Sequence, residues 1–127
     1  MWWQEYFRDV DSGEIPRMAA WFSPDIVLRF SNWPAVHGRD ATVAALAAFL
    51  ARVRSVRHDL GSSIPSEDAV FVEASVSYAL YANRVVTVPS ATFLRRSAAG
   101  ITDLRIYLDA TPLLSALEHE NKAPAPS

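Results

Sequence analysis

Cysteine is absent from this chain, which excludes disulfides, thiolate metal sites and cysteine nucleophiles at once. Glycine is scarce, with four residues in 127, and none belongs to the Gly-rich run that cradles a phosphate. There are three histidines, His37, His58 and His119, and no two are spaced four apart as a helical metal pair would be. Neither sign of charge dominates. Twelve Lys and Arg stand against fourteen Asp and Glu, a net charge of -2 that gives no electrostatic footprint for nucleic acid. No apolar run nears the ~18 residues that span a bilayer, and no charged-then-apolar leader opens the chain. These absences predict a cytoplasmic protein with no metal, no cofactor, and no nucleic-acid or membrane partner.

What is present is a hydrophobic half and enough length to bury one core, read as a single domain over residues 1–118. Residues 119–127, ending in a small, polar, Pro-rich stretch, are expected to be a flexible tail. Trp3, Tyr6, Phe7 and Val10 recur at helical spacing until Asp11-Ser12-Gly13 breaks the pattern. Ser12 is placed to cap a second short helix with Ile15, Met18, Ala19 and Phe22 on its apolar stripe. Ile26 to Asn32 reads as a strand, and Pro34 and Gly38 mark a loop. The longest helix is expected over 40–54, where Val43, Leu46, Ala47, Leu50 and Val53 share a face. Residues 55–61 form a short run, followed by a polar loop around Pro65.

Three strands follow. Between Val70 and Leu80 the even positions are apolar or Tyr while Glu73, Ser75 and Ser77 take odd ones, the alternation of a half-buried strand. Val85 to Arg95 returns, with Pro89 implying a bulge or an edge, and Ile101 to Asp109 follows. Helices first and an antiparallel meander afterwards, with one long helix inserted, make an α+β fold: a strongly curved antiparallel sheet wrapped on the long helix, behind two short N-terminal helices, with a hollow between sheet and helix.

The last strand is the most chemically loaded. Arg105, Tyr107 and Asp109 share one face, and Leu104, Ile106 and Leu108 share the other. The charged face either meets water or points into a pocket. Asp109 either acts as a desolvated acid or base, or ends the strand in solvent and caps a short helix after Pro112. His58 lies between Val56 and Leu60 on its face, the setting of a core-edge histidine or of a proton carrier paired with Asp109. Tyr78 and Tyr107 are amphipathic rings that could donate to a substrate oxygen or rest at a core rim. Phe30, Trp21 and Trp33 belong to a large aromatic set suited to holding flat apolar ligands.

The two-helix opening, Asn32-Trp33-Pro34 through Gly38-Arg39-Asp40, and the closing Arg105-Ile106-Tyr107-Leu108-Asp109 together resemble the nuclear transport factor 2-like superfamily, in its SnoaL-like branch. The resemblance spans Trp3 to about Leu117. It implies a cone with a deep apolar pocket, and members that are polyketide cyclases, ketosteroid isomerases, dehydratases, epoxide hydrolases or non-catalytic binding domains. Laid on the limonene epoxide hydrolase type, it matches Asn32 to a water-holding Asn and Asp109 to a catalytic acid. The Arg–Asp pair of that site falls near Ala74 and Val76, both apolar here, and a Tyr of that site falls on Phe30.

The combined expectation is a cofactor-independent isomerase, cyclase or hydrolyase acting on a cyclic or polyketide-like substrate. Asp109 and His58 transfer the proton, and Asn32, Trp33, Phe30, Tyr78, Tyr107 and Trp21 bind the ligand. The alternative is a non-catalytic binding or accessory domain. The apolar stripe of the last strand is expected on the outer sheet face, where it would join two copies in a homodimer.

Overall fold

The computed structural model describes residues 1–122. Two helices, α1 (Trp2–Asp11) and α2 (Ile15–Ala19), precede β1 (Phe22–Phe30) and the two-residue β2 (Val36–His37). Helix α3 (Arg39–Leu50) leads into β3 (Ser55–Pro65), β4 (Ala69–Ala79), β5 (Val85–Ser97) and β6 (Gly100–Leu108), and α4 (Thr111–Lys122) closes the order. The strands form one six-stranded sheet in the order β2-β1-β6-β5-β4-β3. Four neighbouring pairs are antiparallel and one, β1 with β6, is parallel, so the sheet is mixed at its β1 end. Helix α4 occupies residues 119–122 of the expected tail, and 123–127 lie outside the described residues.

Strand β4 shows the alternation read from sequence. Val70, Val72, Ala74, Val76, Tyr78 and Leu80 are buried, and Phe71, Glu73 and Ser75 are exposed. Register carries this face across the sheet, from Val56 opposite Tyr78 on β3 to Leu94 opposite Val70 on β5 and Leu104 opposite Leu94 on β6. The helices cover that inner face and the core forms between them. Pro89 pairs with Ser75 on β4, but β6 stops at the Ser90–Leu108 pair, so Pro89 faces no strand on its other side. Its missing N–H therefore costs no ladder bond there.

One expectation is reversed. Leu104, Ile106 and Leu108 face inward, with Leu104 1% exposed, and Tyr107 is on the outer face. Alternation separates the two faces of a strand but does not say which of them is covered. Pairing with Thr92 and Leu94 assigns the apolar side to the core, as the hydrophobic effect requires.

Candidate functional site

The space enclosed by the sheet, α1 and α3 is a cavity of about 50 Å³. A water needs about 10–15 Å³ by this measure, so the cavity has room for a few waters and none for a polycyclic ligand. The deep pocket expected of the cone is filled by its own rings: Phe30 packs at a tilt against Phe49 with 5.0 Å between centroids, and Phe49 meets Tyr78 edge-on at 5.8 Å. A second void of about 40 Å³ lies behind Phe30 and Phe49, beneath Trp33.

His58 and Tyr78 are the polar landmarks of the cavity wall, together with Tyr6 and Thr92. His58 sits on β3, an edge strand whose outward N–H groups need partners other than a neighbouring strand. Asp11, the last residue of α1, supplies one. Its Oδ2 accepts the His58 backbone N–H at 2.8 Å, and its Oδ1 meets His58 Nδ1 at 2.6 Å. The Phe7 ring lies 4.8 Å from the imidazole and fixes its plane from the helix side. The two side chains are 14% and 22% exposed, so the pair is largely shielded without being cut off from water. An ionised carboxylate only accepts, so the neutral imidazole carries its proton on Nδ1 and leaves Nε2 as the free base.

Burial pushes the Tyr78 phenol up to about 12. Burial, and secondarily the charge of Asp11, raises Tyr6 as well. Both rings therefore remain protonated at neutral pH and keep an O–H to donate.

On the other side of this pair a crevice of about 330 Å³ opens to the surface between the α1–α2 turn, the end of α3 and the start of β3. Asp11 lines the crevice, His58 lines the cavity, and Val10, Leu50 and Val56 line both. The carboxylate–imidazole pair thus stands at a thin wall between solvent and interior.

Of the expected site residues, Phe30, His58 and Tyr78 line the central cavity, and Trp33, 41% exposed, covers the void beside it. The others lie elsewhere. Asp109 is fully exposed, and its Oδ1 accepts the Thr111 N–H at 2.9 Å at the start of α4. Hydrogen bonds from Thr111, side chain first and backbone second, hold its carboxyl below the usual value, the opposite of a poised general acid. The expected His58–Asp109 pairing is not formed, because Asp11 occupies His58 Nδ1. Asn32 is exposed beside Ser31, and Tyr107 lines an outer groove with Glu73 and Pro89. Trp21 donates its indole N–H to Asp9 at 2.8 Å and packs on Tyr6, away from the cavity.

Asp11 was missed. The sequence held a signal for it, since Asp11 lies four residues beyond Phe7 on the stripe that α1 buries, where a carboxylate needs a partner. Among the described residues no group of three or more His, Asp or Glu is placed to hold a metal, and no helix is long and apolar enough to cross a membrane.

The family model of the SnoaL-like domain matches residues 3–104. No curated protein matches the chain. Among solved structures, TerC co-crystallised with polyporic acid shares 12% identity, with a TM-score of 0.76 over 89% of this chain and 92% of its own. An epoxide hydrolase of the LEH-like type from M. tuberculosis shares 16%, with a TM-score of 0.75 over 91% of this chain and 86% of that one. A protein described as a SnoaL-like polyketide cyclase, from Jannaschia sp. CCS1, shares 18%, with a TM-score of 0.72 over 95% and 92%. At these identities the likeness shows the nuclear transport factor 2-like cone fold.

Proposed function

This chain belongs to the SnoaL-like domain family, and from that premise we propose that it is a cofactor-independent proton-transfer enzyme of the isomerase, cyclase or hydrolyase kind. Its substrate is an apolar cyclic or polyketide-like carbonyl compound. The observation that carries this reading is the imidazole on the cavity wall, held through Nδ1 by a carboxylate that itself faces the crevice. His58 Nε2 takes a proton from the carbon beside the carbonyl, and the C–H electron pair moves into the ring or chain as the carbonyl oxygen becomes an enolate. Tyr78, with Tyr6, donates to that oxygen. The imidazolium, stabilised by Asp11, returns the proton at a second carbon. Asp11 acts through His58 and is a positioning residue.

The tautomer gives a test that needs no substrate. Long-range ¹H–¹⁵N correlation spectra at a pH where His58 is neutral are expected to show the proton on Nδ1. In Asp11→Asn, whose amide can donate to Nδ1, the proton is expected to move to Nε2. A wild-type imidazole already protonated on Nε2 would sink the reading.

A non-catalytic binding or accessory domain is the second reading, favoured by Ala74 and Val76, buried apolar residues where an Arg–Asp pair would be needed.

The same proposal includes a two-fold homodimer through the outer sheet face. The contact residues differ from the expected stripe: Ile64, Phe71, Val85 and Tyr107 are the large exposed apolar groups there. Phe71 packs at a tilt against Phe93 with 4.8 Å between centroids, and the Arg105 guanidinium lies 5.1 Å from the Phe93 ring centre, a platform flanked by Glu73 on one side and Arg29 on the other. A two-fold axis through the platform would set acid against base. Sedimentation velocity is expected to give a dimer at micromolar concentration and a monomer for Phe71→Glu. A wild-type monomer under those conditions refutes it.

A further inference from the structure

We propose that the crevice beside Asp11 is an antechamber that binds the anionic end of a ring-bearing carboxylate, with Arg54 as its counter-charge. The inference rests on the proton-transfer reading for what the ligand does next, but the binding itself is separable from it. At about 330 Å³ the crevice lies within the size range of small-molecule pockets, whereas the interior at about 50 Å³ does not. A substrate that reaches His58 therefore has to be held first at the surface. The crevice is placed to do this, because it shares the Val10, Leu50 and Val56 side chains with the cavity and has Asp11 in its wall.

The chemistry of the lining selects the ligand. One half is apolar, from Val10, Ile15 and Leu50, and suits a ring. Two charged residues line the crevice, Asp11 and Arg54. Both Asp11 oxygens are taken by His58, one by its backbone N–H and one by its ring. Arg54 has only a neutral partner, donating through Nη1 to the Asn83 side-chain oxygen at 3.2 Å, and forms no salt bridge among the described residues. A planar guanidinium with donors to spare is matched by a carboxylate that can accept two of them. Such a ligand lies with its acid outward at Arg54 and its ring against the Val10–Leu50–Val56 partition.

The test uses 2-naphthoate and its neutral counterpart 2-naphthalenemethanol as probes, with affinities from calorimetry and contacts from NMR. The full chain is expected to bind the anion roughly tenfold more tightly than the alcohol. Arg54→Gln, a surface change that leaves the core untouched, is expected to erase that preference. Ala51→Trp, which fills the crevice from an exposed position, is expected to abolish binding of both probes. Equal affinity for the two probes, an Arg54→Gln protein that keeps the preference, or no binding up to the solubility limit overturns the proposal. If the His58 tautomer result fails while Arg54-dependent binding holds, the antechamber stands and the proton-transfer chemistry falls.

Discussion

His58→Gln is expected to lower kcat by about two to four orders of magnitude on the natural substrate, while leaving the fold intact. Gln is an informative replacement because it fills much of the imidazole's space with an amide that does not titrate, and its backbone N–H still reaches Asp11 Oδ2. What is lost is a group that can take up and return a proton. Asp11→Asn should lower kcat for a different reason: the amide donates to Nδ1, the ring proton moves to Nε2, and the base is used up in the wrong tautomer. Asp11→Ala is a poorer experiment, because it also strands the His58 backbone N–H at a cost of about 1–3 kcal/mol. Asp109→Asn is the control, expected to leave kcat unchanged because Asp109 is fully exposed and engaged with Thr111. Steady-state kinetics on the four proteins, with thermal melts to confirm folding, decide the matter. A His58→Gln protein at full turnover would show that the imidazole only packs.

These expectations rest on a pair that the sequence revealed by halves. His58 could be seen as an imidazole between aliphatics because strand alternation is a local property, and β4, β5 and β6 were readable for the same reason. Its partner could not be chosen locally. The acid nominated from the end of β6 and the acid at the end of α1 are equally far from His58 in any local sense, and only the packing of α1 on β3 decides between them. The inversion of β6 has a related cause. A strand with an apolar and a polar face fits a core on one side or a dimer on the other, and the choice depends on register with Thr92 and Leu94. The parallel pairing of β1 with β6 is likewise non-local, joining residues 22–30 to 101–106. The absence of cysteine needed no geometry: a chain without it has no thiolate chemistry in any fold.

The parallel junction also locates the most severe expected loss of stability. Gly100 opens β6 at φ +123, a conformation essentially reserved for glycine. A Cβ added there would lie 2.7 Å from the Trp21 carbonyl oxygen and 2.9 Å from the Ser23 nitrogen, both backbone atoms that no rotamer change can move. The same carbonyl accepts the Ile101 N–H at 2.7 Å, so relief of the clash opens the bond that starts the β1–β6 pairing. Gly100→Ala is therefore expected to cost roughly 3 kcal/mol or more, and to lower the melting temperature by about 10–20 °C. Gly13→Ala isolates the steric part. Gly13 is also at positive φ, +74, but nothing lies within 4 Å of its added Cβ, so it should cost only about 1–2 kcal/mol. Equal melting temperatures for the two variants would mean that the close approach at Gly100 is absent in solution. The functional consequence follows from what β1 carries. Phe30 ends that strand and packs against Phe49, so loosening the junction should unpack the ring layer that fills the cavity before it disturbs His58, which α1 and β4 hold from the opposite edge of the sheet.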